Sequence, residues 1–555
     1  IVNNIAIGNS AMNGSGSSTS SIYNNVSIGY QSMYAITTGS NNTIIGNRAG
    51  TTITQGYGNV ALGSDALYQV TTGNNNVSLG SYSLDALTTT SNMTAVGHSA
   101  GSAVNHNNAE GGTYIGYQAS KANTSGGHNT SVGYQALVAN TTGAYNTAIG
   151  SNALLALNGG TDNTAIGRRA LKDNIAGAYN IAIGNLAMKD YKGDDSNNGG
   201  TKNIAIGVSA MEAFQGGTGD VHANTRFDRN IALGYNSFRG ADFNNAEKVV
   251  TDNIAIGDEA LNSTGANGQV GTIAIGSNAL TALTSGNGNT AVGYESGKSL
   301  TTGTHNTAIC YRALDADAEG DYNTCIGSGA GGGFNNTGND HNTCIGYNAG
   351  TGGNNQDVDD IVAVGSEALN NIDNNNADGS VGVGRSALKQ LTSGARNTGV
   401  GYESLRYLSS NENNTALGYY SGLFATGSNN TAIGNSALEG GGGGTTTSNA
   451  TAIGHHALKN QTSGQNNTAL GANAGDLIAT GSDNIIIGQG ADPSASGGAN
   501  QIVIGKGASG VQDNSAIIGN SSCADVFMGD NGSAWSTTSD GRLKENVEDW
   551  NVGLD

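Results

Sequence analysis

Asn146-Thr147-Ala148-Ile149-Gly150 returns in variants along nearly the whole chain, and the glycine that closes each copy gives the period. Gly29, Gly46, Gly63, Gly80 and Gly97 stand 17 residues apart, as do Gly116, Gly133, Gly150, Gly167 and Gly184. The same step links Gly276, Gly293, Cys310 and Gly327, with a cysteine in one glycine's place, and later Gly471, Gly488 and Gly505. From Gly327 through Gly346 and Gly365 to Gly384 it widens to 19, and elsewhere further. A short fixed period that tolerates insertions is the pattern of a solenoid, in which each turn stacks on its neighbour and extra residues leave as loops. A period of 17 residues is too short for a helical hairpin and suits one turn of a parallel β-solenoid, or β-roll.

Within a copy, strand alternation sets Thr147 and Ile149 on one face and Ala148 and Gly150 on the other. Three residues past the glycine a small residue recurs (Ala136, Ala153, Ala170, Ala279, Ala368, Ser404), followed by a leucine. Thr-Thr-Gly or Thr-Ser-Gly, as at 141–143, 301–303 and 392–394, then turns the chain back toward the next asparagine. A turn this short encloses a thin roll with room for small side chains only. Two assignments stay open, with Ala148 inside and the Ile149 ladder outward, or the reverse. In either, both strand faces need cover, and three identical chains around one axis would supply it, so the expectation is a homotrimer whose lone chain is unstable. The asparagine that opens each copy is expected to stack turn upon turn, its amide bonding to the backbone at the corner.

A globular chain of 555 residues would divide into several domains, whereas a solenoid grows along one axis as a single rod. Glycine is abundant (90) and proline nearly absent (1), which suits tight turns among paired strands and excludes collagen. The net charge of -20 argues against nucleic acid as a partner and reads as solubility and repulsion between rods. No apolar run approaches the roughly 20 residues of a membrane helix. Ile1 falls close to the start of a copy and carries no signal peptide, so the chain is expected to have lost its true beginning. Cys325 and Cys344 take the place of Ala148 in their copies, which reads first as small buried hydrophobes and second as a disulfide between stacked turns. Neither a cofactor motif nor metal-ligand spacing accompanies them. His455 and His456, adjacent on an extended segment, are expected to point apart. Glycine runs at 331–333 and 440–444 precede no Lys-Ser or Lys-Thr and read as loose turns, not phosphate cradles. Threonine comes about once per strand and not in paired ladders, and the calcium-roll nonapeptide is missing, which weakens ice- and calcium-binding solenoids. Paired carboxylates for polysaccharide cleavage do not stand out.

Asn-Thr-Ala-Ile-Gly with alanine three places on resembles the head repeat of trimeric autotransporter adhesins, a left-handed parallel β-roll of three chains. The longer period here is similar to related repeats in phage tail fibres. The resemblance covers roughly residues 1–530 and implies a homotrimeric rod of a virion, extracellular and engaged in host attachment. A bacterial cell-surface trimeric adhesin is the alternative.

Between Gly184 and Gly257 the steps grow to 23, 27 and 23. The insertions carry Phe214, His222, Arg226, Phe227, Arg229, Arg239 and Phe243, and aromatic rings beside guanidinium forks are what a host-surface glycan or protein would need. Phe238 falls in the leucine position and is assigned to the core.

Ser539-Asp540-Gly541-Arg542-Leu543-Lys544-Glu545-Asn546 departs from everything before it. It resembles the start of the intramolecular chaperone, a self-processing peptidase domain, of endosialidase-type phage tailspikes and fibres. That resemblance implies a C-terminal region, 531–555 here, that assists trimer assembly and cuts itself off at Ser539, with Asp540 and Lys544 as the matching partners. A lysine desolvated by folding loses its proton more readily and can activate a nearby hydroxyl. Apart from this self-cleavage no enzyme activity is expected.

Overall fold

The computed structural model describes residues 3–14, 22–190, 200–213, 226–240, 248–264, 268–334, 338–352, 358–372, 377–442 and 445–522. Twenty-nine strands of three residues each form one parallel sheet that runs the length of these residues. Each strand pairs in register with the strand one turn before and one turn after, so that Ala148 lies between Ser131 and Ala165, and Ile149 between Val132 and Ile166. At about 4.8 Å per strand the stack is roughly 135 Å long. The fold is the expected all-β parallel solenoid.

The burial pattern decides between the two open assignments. In Thr147–Ile149 the middle residue, Ala148, is fully buried, while Ile149 keeps 38 % of its surface exposed. Alanine, or a similarly small residue, lines the interior because the roll is thin, and the branched residues point out. The space opposite Ala148 is filled from the far side of the turn by Ala153, Leu154 and Leu157, all fully buried.

Leu154 reaches that interior through a backbone that alternates in hand. Gly150 has φ +136°, Asn152 +59° and Leu154 +49°. A Cβ on Gly150 would lie 2.4 Å from the carbonyl oxygen of Gly167 in the next turn, which is why glycine closes nearly every copy. A left-handed leucine costs about 1–2 kcal/mol, offset by roughly 1.5–3 kcal/mol from burying its side chain. Where the strand's middle residue is larger, the leucine gives way to a smaller residue, either glycine or, after Tyr114, Ile486 and Val503, Ser120, Asp492 and Ser509. Ile44 is followed by Gly50, Cys325 by Gly331 and Cys344 by Gly350, and an added Cβ at the last two would meet the sulfur of that same cysteine at 2.4 and 2.2 Å. Interior volume is also shared between turns: Gly297 and Gly422 stand beside alanines, and a Cβ at either would meet the leucine of the turn before, Leu280 or Leu405, at 2.7 Å.

The backbone is stitched to both neighbours. The amides of Gly150 and Asn152 donate to Val132 and Tyr134 one turn before (2.7 and 2.8 Å), and those of Leu154 and Ala156 to Ala170 and Lys172 one turn after (3.0 and 2.9 Å). At the corner the buried asparagines form the expected ladder. Asn146 donates its backbone amide to Asn129 Oδ1 (2.8 Å) and its side-chain Nδ2 to the Gly160 carbonyl (2.9 Å), and Asn163 repeats the pattern on Asn146. Threonines of the return turn cap carbonyls of the next turn, as with Thr141 on Asn158 (3.0 Å) and Thr301 on Ala318 (2.7 Å).

Cys325 and Cys344 are register partners, buried and free, and they pack as small hydrophobes. The contact with the Cys344 thiol, reinforced by burial, pushes the Cys325 thiol well above its ordinary range. The two histidines do not point apart. Their ring centroids are 3.6 Å from each other, because His456 is left-handed (φ +58°) and strand alternation does not apply there.

Candidate functional site

The widened turns add a second small parallel sheet, Arg226–Asp228, Val249–Thr251 and Gln269–Val270, just ahead of the main strands of the same turns. This sheet places the sequence candidates. Phe227 turns inward, 3 % exposed, with its ring 6.2 Å from that of the fully buried Phe238. It is core and offers no stacking surface to a ligand, a correction that follows from the flank of the insertion becoming a strand. Arg229 is fixed to Asp252 in the next turn by two hydrogen bonds, Nε to Oδ1 at 2.6 Å and Nη2 to Oδ2 at 2.8 Å. The carboxylate of Asp252 is held below its ordinary range, first by that arginine. Arg226 is exposed and contacts Asp228 at 3.5 Å, while Asp228 accepts from the amide of Thr201 (2.9 Å). Arg239 is exposed, and its carbonyl accepts from Thr264 (3.1 Å). Phe214, His222 and Phe243 lie outside the described residues, as do Ser539, Asp540 and Lys544.

Two outer features run beyond this cluster. The first is the outward strand face. Its leading position is Thr, Val or Ile in every strand except Ala516–Ile518, and its closing position is Ile, Val or Leu in all 29. Many of these are exposed by a third or more, including Ile7, Leu62, Ile149, Ile206, Leu417 and Leu470.

The second is a column of rings at the residue following the closing glycine. The signal was present in the sequence as a recurring Gly-Tyr, at Tyr30, Tyr117, Tyr134, Tyr235, Tyr294, Tyr347, Tyr402 and Tyr419, but periodicity alone gave no reason to read it as a surface. In the fold the rings stack across turns: Tyr117 on Tyr134 at 5.4 Å, Tyr294 on Tyr311 at 5.5 Å and Tyr402 on Tyr419 at 5.3 Å between centroids. Among the described residues no group of three or more His, Cys, Asp and Glu is placed to hold a metal ion, and no helix is long and apolar enough to cross a membrane.

Comparison with known proteins returns no matching family and no similar curated protein.

Proposed function

We propose that this chain is the shaft of a homotrimeric fibre of a virion, a phage tail fibre that holds host-binding surfaces away from the particle. The outward strand face carries the reading. Charged residues make up 12 % of the chain, so about seven would fall by chance among the 58 outward positions of the 29 strands; there are none. An uncharged stripe over 100 Å long, with an unbroken column of Ile, Val and Leu along it, far exceeds what a soluble monomer leaves bare. A second and third copy of the same chain offer surfaces of equal length and equal spacing, and closed symmetry around one axis covers all three stripes. The negative charge sits on the remaining faces, where it keeps assembled rods apart. Stiffness comes from the continuous ladders, and three copies of each weak site give avidity for a host surface. In this reading Ser539, with Asp540 and Lys544, releases a C-terminal chaperone segment after assembly.

Sedimentation of the purified chain tests the assembly. The expected species has three times the 55.4 kDa chain mass. Ile256→Glu combined with Ile275→Glu, placing charges in adjacent turns of the stripe, is expected to shift it toward monomer or aggregate. A stable folded monomer of the unaltered chain at micromolar concentration would sink the proposal. For processing, Ser539→Ala in the complete gene is expected to leave the chain uncut.

A further inference from the structure

The Gly-Tyr column is not needed to build the roll. In 11 of the 29 turns the same position holds serine or asparagine, such as Ser151, Ser277, Ser328, Ser366 or Asn435, and the glycine turn closes with the same geometry. Rings at this position therefore answer to something other than folding. At one place they gather further partners. Tyr402 and Tyr419 are near-parallel, 12° apart, and Tyr420 leans against both, at 52° and 41°, with its centroid 5.6 Å and 4.0 Å from theirs. Two parallel rings and one inclined ring form a two-walled aromatic corner, and Tyr419 keeps 46 % of its surface exposed.

Hydrogen-bonding groups frame the corner. The guanidinium of Arg385 stands 5.7 Å from the centre of the Tyr402 ring. Glu403, nearly buried, is held at 2.8 Å by Arg406, and its carboxylate pushes the Tyr402 phenol above its ordinary range. Nε of Arg406 is buried and has no hydrogen-bond partner in the protein. An apolar wall edged by phenol hydroxyls, a carboxylate and two guanidinium forks matches one ligand chemistry: a pyranose, whose C–H face packs on a ring while its equatorial hydroxyls meet donors and acceptors in the ring plane. The other ring columns lack this set. Tyr117 and Tyr134 are accompanied by His98 and the Gln118–Gln135 amide pair, with no guanidinium over either ring; Tyr294 and Tyr311 share part of the frame, with Glu295 held by Lys298 and Arg312 and with Arg312 5.9 Å from the Tyr311 ring centre, but among the described residues no third ring joins them.

We infer that the corner of Tyr402, Tyr419 and Tyr420, with Arg385, Glu403 and Arg406, is a saccharide-binding site. It deepens the host-attachment reading by naming a ligand class and a place, and it moves the candidate from the widened turns at 214–243 to the turns between Gly384 and Gly434.

The test uses the full chain on an array of printed oligosaccharides built from hexoses, N-acetylhexosamines and uronic acids. Saturable binding to at least one class is expected, reduced at least tenfold by Tyr419→Ser and by Tyr420→Ser. Serine is a native occupant of these two columns, at Ser366 and Ser386, so neither variant should disturb folding. Tyr134→Ser, at the same column position in another turn, should bind as the unaltered chain does. No binding to any printed saccharide, binding unchanged by Tyr419→Ser and Tyr420→Ser, or binding lost equally with Tyr134→Ser would each overturn the assignment, as would a preference for peptides printed on the same slide. Sedimentation of the same samples separates this outcome from the assembly question, since a trimer without saccharide binding rejects only the site.

Discussion

The regular turns between Gly116 and Gly184 and the widened turns between Gly184 and Gly276 differ by up to ten residues per copy, yet their strands stack identically. Asn230 donates its backbone amide to Asn203 Oδ1 at 3.0 Å across 27 residues, as Asn146 does to Asn129 at 2.8 Å across 17. The comparison teaches that the shaft is fixed by a short recurring set of contacts and is indifferent to what separates them. In the turns between Gly207 and Gly276 the residues just ahead of the asparagine pair with one another as the small second sheet.

Substitution of the closing glycine breaks this equivalence most directly. Gly150→Val and Gly234→Val each put a branched side chain at φ near +137°, with the Cβ 2.4 Å from the next turn's carbonyl oxygen. Each is expected to cost more than about 3 kcal/mol, read as loss of a cooperative thermal transition. Equal losses support one continuous shaft, whereas a much smaller loss at Gly234 would mean the widened turns are looser. Next come the interior side chains. Phe238→Ala is expected to destabilise by about 3–5 kcal/mol and Leu154→Ala by about 2–5 kcal/mol in denaturant titrations. If the Phe238 variant proved the milder, its contact with Phe227 would not be part of the core.

Asp317 gives a smaller, pH-dependent effect. It occupies the interior place held by Asn140 in a regular turn, where Oδ1 accepts from Gly143 N (3.0 Å) and Nδ2 donates to Gly143 O (2.8 Å). Asp317 accepts from Gly320 N in the same way (3.0 Å), but when ionised it has no proton to donate. Burial pushes its carboxyl up to about 7. A folded-state value above the unfolded one, near 3.8, means the native chain holds the proton longer. Its contribution is therefore intact below about pH 4 and lost as pH rises through 7. Asp317→Asn is expected to flatten that slope and to stabilise the chain at neutral pH by up to a few kcal/mol, measured as melting temperature against pH. Finally, deleting residues 215–224, or replacing Arg229 by alanine, should leave the melting temperature within error, since the Arg229–Asp252 pair is half exposed on both sides. A marked drop would tie the insertions into the shaft.

Much of the shaft could be read from the chain before any coordinates. The glycine column, the asparagine ladder, the return-turn threonines and Phe238 in the leucine place all follow from period and residue type. The inward face of the strand could not be read, because Ala148 and Ile149 are both apolar and alternation alone does not say which is enclosed. Burial settles it, with Ala148 enclosed and Ile149 38 % exposed, and a Cβ at Gly350 would meet the Cys344 sulfur at 2.2 Å because the two positions share one interior. The candidate ligand residues were less legible. Phe227 has the composition of a binding loop and the position of a core residue, and Tyr402 and Tyr420 are 18 residues apart, brought together by stacking that periodicity shows only once the column they belong to is known.

The asparagine ladder has a direction. Each amide accepts from the copy that follows and donates onward, so a copy inserted anywhere joins the same chain of bonds without disturbing those on either side. Reach is then a matter of counting. Gain or loss of a whole copy in the gene lengthens or shortens the stack by one fixed increment without redesigning a single contact.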